Sequence, residues 1–520
     1  MLIFTIILIS DLKAFPALNK WKSVTASIEN EMVFQANRTR EQMKTYLFYD
    51  LETTGLNKSF DQVVQFAAIR TDDRLREMDR HEIRVRLRPD VAPSPYAIIT
   101  NRLSMEELLA GDTEIDAFLK IHRLLNQKDT ISLGYNSLGF DDEFLRFSFY
   151  RNLLSPYTHQ YANGCGRMDL FPMAVMFYLY KKELLSWPTI DGKPTLKLEY
   201  LSLENKLAQG RAHDALVDVE ATVALARIFN REEKMWRYLV GFFNKTDDQD
   251  RVRQLPQSFQ SDQGIHTLGL FHSSVIGNEM GYTAPVIYIG DSIPYKNQSL
   301  WLRIDLPELR MATKETIADT TRVFRKRFGE PGFILPPQDR FWKLLGQERD
   351  HEVSANINWL KTQPSILREI IMHHREFRYP LVPDIDPDAA LYQNGFLSAE
   401  DQALCREFHK APFEKKHSLI DGFKDRTTRK LAKRILFRNF PEETALSTDA
   451  DYDLYLKKIE VPPEDSPLVD YRGEKKLSPA KALSEIEQIK KEQESLDADQ
   501  LNLLEGLAAY LRRRFPGMTE

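Results

Sequence analysis

The sequence predicts an α/β domain first, a small β-rich unit second and a helical region last. Three observations lead there. Strand-like apolar runs alternate with helical patterns between Tyr46 and Phe229. Short β-type runs broken by Pro, Gly and Asn occupy 266–335. From Asn356 onward the apolar spacing is helical. The 520 residues are 42% hydrophobic and 28% charged, which describes a folded chain of about three domains. A net charge of -5 advertises no polyanion partner, so any nucleic-acid surface must be a local basic patch. Cys165 and Cys405 are the only cysteines and lie far apart. That argues against a disulfide framework and a thiolate zinc site, and fits a reducing cytoplasm.

Tyr46, Leu47, Phe48 and Tyr49 suit a buried strand, and Asp50, Leu51 and Glu52 continue it. Alternate strand residues share a face, so both carboxylates point one way and Leu51 points into the core. Two hard oxygen donors at a strand end suit a divalent ion such as Mg²⁺ or Mn²⁺. Thr53, Thr54 and Gly55 then break the strand. Val63–Arg70 and Glu82–Arg88 read as strands that complete a meander, and Ser104–Leu109 and Ile115–Leu125 as helices. Thr130–Asn136 is a short strand. Asp141, Asp142 and Glu143 then open an aromatic helix, where acids suit the helix dipole. Arg167, Met168 and Asp169 open an apolar segment reaching Tyr180, and Thr195–Leu207 reads as a helix. His213 stands at the start of a further helix, with Asp214 as a dipole-favouring acid and Asp218 one turn on.

Arg231–Gly264 reads as a linker or irregular entry. HTLGLF, APVIYIGD, SLWLRIDL and FIL supply strands of a small barrel, with a helix expected at Lys314–Phe328. A proline-rich break at Tyr379–Pro387 precedes the last region. There, Lys410–Arg438 holds ten Lys or Arg against three Asp or Glu. Arg426, Arg429, Lys430, Lys433 and Arg434 fall at helical spacing opposite Leu431, Ile435 and Leu436, a basic stripe expected to contact phosphates. Ala480–Phe515 reads as two amphipathic helices.

A strand D-x-E, an acid at a strand-to-helix junction about ninety residues on, and H-x₄-D at a helix start resemble the DEDDh 3′→5′ exonuclease superfamily. LYQNGFLSAEDQ and FKDRTTRKLAKRILFRNFP resemble the carboxy-terminal domain of the bacterial exodeoxyribonuclease I family. The likeness then covers nearly the whole chain after Met43. It implies an RNase H-like α/β exonuclease domain over 43–232, an SH3-like β-barrel domain with helical insertions over 233–387, and an α-helical domain over 388–520. It also implies processive 3′→5′ hydrolysis of single-stranded DNA to 5′-mononucleotides, in DNA repair and recombination.

By the same resemblance, Asp50, Glu52 and Asp218 are ligands of two Mg²⁺ ions, with Mn²⁺ as an alternative. Asp141 is the fourth acid, and His213 is the general base on the attacking water. Asp141 is favoured over Asp142 and Asp218 over Asp214, and Asp169 is left structural. Substrate contacts fall on Glu52, Thr53, Arg146, Tyr157, Tyr161 and Lys197. The implied partners are single-stranded DNA and single-stranded DNA-binding protein, and the implied state is a cytoplasmic monomer. An exoribonuclease with the same motifs and a catalytically silent DNA-binding scaffold are the other readings.

Residues 1–42 begin with MLIFTIILIS, an apolar run too short to span a bilayer and without the positive flank of a targeting segment. Met43 directly precedes the first strand, whereas the family places that strand near its start. The expectation is a start assigned too far upstream, with a chain begun at Met43 fully stable and active. A docking arm and a targeting segment are the alternatives.

Overall fold

The computed structural model describes residues 44–210, 214–444, 447, 449–461, 467–492 and 496–516. The amino-terminal segment 1–43 and His213 lie outside the described residues. The first sheet contains β1 (Thr45–Thr53), β2 (Val63–Thr71), β3 (Glu77–Arg84), β4 (Thr130–Gly134) and β5 (Gly166–Asp169), in the order β3-β2-β1-β4-β5. The first three form the antiparallel meander, and β1, β4 and β5 run parallel. Helices α1 (Pro95–Asn101), α2 (Met105–Leu109) and α3 (Glu114–Leu125) lead from β3 to β4. Then come α4 (Asp141–Arg151), α5 (Leu170–Tyr180), a short hairpin of β6 (Thr189–Ile190) and β7 (Lys193–Pro194), α6 (Leu198–Asn205) and α7 (Ala215–Asn230).

Strand parity decides what each face of β1 meets. Leu47, Tyr49 and Leu51 pack with Phe118, Ile121, Phe144 and Phe149 of α3 and α4. Phe48, on the other face, joins Met173 and Phe177 of α5 and Val219 and Val223 of α7. Asp50 and Glu52 share the parity of Phe48 and therefore look toward α7.

The segment expected to be a linker is instead α8 (Glu233–Val240), α9 (Lys245–Arg253) and β8 (Gln257–Ser261). Trp236, Leu239 and Phe242 pack into the first domain's core, together with Phe333 and Leu335 of the second sheet. The charged residues between them hid the apolar face of a short helix. The second sheet is antiparallel throughout. It orders β12 (Val323–Arg327), β11 (Gln298–Arg303), β10 (Thr283–Asp291), β9 (Gly264–His272) and β13 (Phe333–Leu335), with β8 also on β9.

The helix expected at Lys314–Phe328 is a single turn, α10 (Ile317–Thr320), followed by β12. β-branched Thr320, Thr321 and Val323 disfavour continuing the helix. Lys326 of that strand is fully buried on Asp248 of α9 at 2.5 Å, a pairing across 78 residues that local spacing cannot reveal. Helices α11 (Asp339–Trp342), α12 (Gly346–Thr362) and α13 (Pro364–Glu376) follow, and Val353, Leu360, Leu367 and Ile370 cover the sheet.

The last region contains α14 (Ala399–Lys410), α15 (Phe413–Ile420), α16 (Arg426–Asn439), α17 (Ala450–Glu460), α18 (Pro479–Glu492) and α19 (Ala498–Arg514). Part of the basic stripe on α16 is engaged within the fold, which narrows the phosphate-contact expectation to its exposed members. Arg434 is only 7% exposed and grips Asp386 with two hydrogen bonds of 2.6 and 2.8 Å. Lys433 pairs with Asp449 at 2.8 Å, and Arg429 donates to the Phe423 carbonyl at 2.6 Å. Arg426 and Lys430 remain exposed. Counting charge along the helix could not include acids that the fold brings from elsewhere.

One buried ion-pair cluster joins this region to the first domain. Arg438 of α16 reaches Asp388 at 2.5 Å and Asp90 at 2.7 Å, and the Tyr455 hydroxyl also donates to Asp90. Burial pushes both carboxyls up, yet Arg438, aided by Arg88 at Asp90 and by Arg434 at Asp388, holds both well below the usual range. Their stabilisation is therefore present above a pH of about 4 and is lost as pH falls below it. Arg438→Met should cost about 3–5 kcal/mol at neutral pH, because it takes from two buried carboxylates the cation they share. Denaturant unfolding should show that deficit shrinking in acid, and a pH-independent deficit would assign it to packing alone.

Candidate active site

The site forms where β1 runs on past the end of β4, since carboxyl ends of parallel strands leave a crevice for ligands. Asp50 and Glu52 come from β1. Asp218 comes from the start of α7, which Asp214 caps by accepting a hydrogen bond from the Leu216 N–H at 3.1 Å. Oxygens of Asp50, Glu52 and Asp218 all lie within 4.8 Å of one another. Asp141, at the start of α4, adds a fourth carboxyl and accepts a hydrogen bond from the Leu51 N–H.

These like charges raise one another. Burial first, then Asp141 and Asp218, pushes Asp50 well above the ordinary carboxyl range. Burial, Asp50 and Asp218 push Glu52 up to about 9. Asp141 rises through burial and the nearby Asp169 and Glu52. Without a counter-ion the cluster retains protons at neutral pH. The donor set is all hard oxygen, close-set and in need of positive charge, so it fits divalent cations such as Mg²⁺ or Mn²⁺.

The neighbouring acids have other work. Asp169, at the end of β5, accepts from the N–H groups of Asn136, Leu138 and Phe171 at 2.8, 3.1 and 2.9 Å. It thereby fixes the turn that carries Asp141. Asp142 is fully buried and faces Arg167 at 2.6 Å, Arg146 at 2.8 Å and His159 at 2.9 Å. Burial alone would raise it, but Arg167 and Arg146 hold it below the usual range. Asp214 lies near enough to Glu52 to repel it. His213 precedes Asp214 but is outside the described residues.

The expected substrate residues divide. Thr53 is buried, and its hydroxyl donates to the Gly55 carbonyl at 2.8 Å. Arg146 is also buried, occupied by Asp142 and Glu143, and it underlies the Tyr157 ring at 5.6 Å. It is not presented to solvent as a free phosphate contact. Tyr157 is half-buried, while Tyr161 and Lys197 are exposed. Sequence reasoning assigned no role to Phe396, which is 92% exposed with its ring 6.4 Å from that of Tyr157. Its signal was present in the LYQNGF motif, but only the three-dimensional pairing gives it a place.

Residues 47–226 match the Exonuclease family model, and 385–514 match the Exonuclease I C-terminal domain. Exodeoxyribonuclease I of Escherichia coli is 28% identical over 425 residues, covering 77% of this chain and 86% of that protein. Exodeoxyribonuclease I of Haemophilus influenzae is 30% identical over 47% of this chain and 51% of its own. Among solved structures, E. coli exonuclease I in complex with a 5cy-dT13 oligonucleotide superimposes with a TM-score of 0.77. That likeness is at 24% identity and covers 91% of this chain and all of that one.

Bound metal must displace the retained protons. Mn²⁺ affinity measured by titration calorimetry should therefore rise between about pH 6 and about pH 9, with protons released on binding. Asp218→Asn should weaken it by more than the roughly 10–100-fold typical of losing an outer-sphere partner. A pH-independent affinity, or wild-type affinity in that variant, would remove the cluster as the metal site.

Proposed function

We propose that the chain is a bacterial exodeoxyribonuclease I that shortens single-stranded DNA nucleotide by nucleotide from the 3′ end. The observation that carries this is the carboxylate cluster at the end of β1 within a chain that also bears the Exonuclease I C-terminal domain. E. coli exonuclease I, which shares this fold, has been solved with dT13 and dA16 oligonucleotides. Hydrolysis depends on a divalent metal, for which we propose two Mg²⁺ ions held by Asp50, Glu52 and Asp218, with Asp141 as the fourth acid.

When bound, such ions supply Lewis acidity to the attacking water and offset charge on the leaving oxygen. His213 takes the proton of that water. The water oxygen bonds to phosphorus as the bond from phosphorus to the 3′ oxygen breaks. The terminal nucleotide leaves with its 5′-phosphate, and the 3′ oxygen of the shortened strand takes up a proton. Glu52 and Thr53 hold the terminal nucleotide, and Lys197 and Tyr161 contact the strand.

Tyr157 and Phe396 offer aromatic faces to bases, a sequence-tolerant grip on single strands. They come from the first domain and the helical region, so a strand held by both must leave both to dissociate. That supports processive action. Among the described residues no helix is long and apolar enough to cross a membrane. We assign the protein to the cytoplasm as a monomer that works with single-stranded DNA-binding protein in DNA repair and recombination.

The test is a time course on 5′-labelled single-stranded DNA and on RNA of the same sequence. The DNA should shorten from its 3′ end with Mg²⁺ and stay intact with a chelator, while the RNA resists. Equal shortening of both polymers would replace this reading with that of an exoribonuclease.

A further inference from the structure

We propose that Asn101 is a positioning residue of the metal site, aiming Glu52 and tying it to the carboxy-terminal helix α19. The proposal rests on the reading of Asp50, Glu52 and Asp218 as metal ligands. β1 changes register against β2 between Glu52 and Thr53. The extra residue is Val64 of β2, and a bulge of this kind interrupts the ladder opposite Glu52 and Thr53. The Thr53 carbonyl is taken up by the Asn101 side chain, whose Nδ2 donates to it at 3.2 Å. The same side chain lies beside the Glu52 carboxylate and favours its charged form. Both partners accept, so the NH₂ end of the amide must face them and the orientation is fixed.

Asn101 is only 4% exposed, and its Oδ1 is buried without a hydrogen-bond partner among the described residues. An unpaired buried oxygen is costly, and an apolar residue would fill the space without that penalty. The hydrogen bond to the Thr53 carbonyl and the polar contact with Glu52 are what the amide contributes in return.

Asn101 closes α1, and the opposite side of that helix belongs to the carboxy-terminal region. Ile98 and Ile99 are buried with Leu504 and Leu507 of α19. Gln500 donates to the Ile99 carbonyl at 3.2 Å. Arg102, which ends the helix in the left-handed region at φ 55°, pairs with Asp497 at 2.6 Å and Asp499 at 3.2 Å. Helix α1 is thus wedged between α19 and the ligand Glu52. A partner of this kind holds a carboxylate in its ligating orientation and cuts the ordering needed when metal arrives.

Asn101→Ala and the volume-retaining Asn101→Leu separate hydrogen bonding from packing. Calorimetric Mn²⁺ affinity of the full chain without DNA should fall about 10–100-fold in both. At saturating Mn²⁺, kcat should stay within about threefold of wild type. A purely structural residue would lower the melting temperature and leave affinity unchanged. Wild-type Mn²⁺ affinity in either variant overturns the proposal. Asp50→Asn is the control: if it too keeps full affinity, the metal reading itself has failed.

Discussion

Mutual repulsion among carboxyl groups at the end of β1 is the constraint to which the rest of this structure answers. Asp50, Glu52 and Asp218 share a space under 5 Å across, with Asp141 beside them. Their own interaction opposes folding, so the surrounding chain must hold them together. It does so through backbone. The Leu51 N–H holds Asp141, three N–H groups fix the turn through Asp169, and Asp214 caps the helix that delivers Asp218. Each device is local, short and hydrogen-bonded, which gives an acid cluster definite geometry before any cation arrives.

The wider frame extends the same logic across regions. Asp142, next to Asp141, binds Arg167, which in turn pairs with Glu330 beyond β12 at 2.6 Å. Arg146 and Glu143, one turn into α4, meet Tyr392 of the helical region. The first turn of α4 is therefore anchored to both neighbouring regions while its leading residue faces the reaction. Arg438, Asp90 and Asp388 brace another seam between the first domain and the helices. Buried ion pairs add little net stability over apolar packing, but removing one partner is severe. Their use at the seams suits a structure in which domain placement sets where a strand can lie.

Strand parity made the site legible. Tyr46–Tyr49 announced a buried strand, and alternation then put Asp50 and Glu52 on one face, where the structure has them. The acidic helix start after β4 was equally readable, because helix dipole and acid placement coincide there. The failures share a cause, which is pairing at long range. Lys326 read as part of a helix because its partner Asp248 lies 78 residues away. Arg434 read as a phosphate contact because Asp386 was invisible to charge counting. Helix α8 was missed because charged residues interrupt its apolar side, which Trp236, Leu239 and the following Phe242 bury. Phe396 stands in a motif and Asn101 in none, and both acquire meaning only from their neighbours, Tyr157 and the register shift after Glu52.

If repulsion at the cluster is the governing strain, relieving it should stabilise the metal-free protein. A carboxyl raised by folding destabilises the folded state progressively as pH climbs above its unfolded value. The most direct measurement is the melting temperature of wild type and Asp50→Asn in chelator, at about pH 8 and about pH 5. Asp50→Asn should melt higher than wild type at the alkaline pH, and the gap should close in acid as protons neutralise the wild-type cluster. An Asp50→Asn protein that melts at or below wild type at both pH values would rule out repulsion as the governing strain.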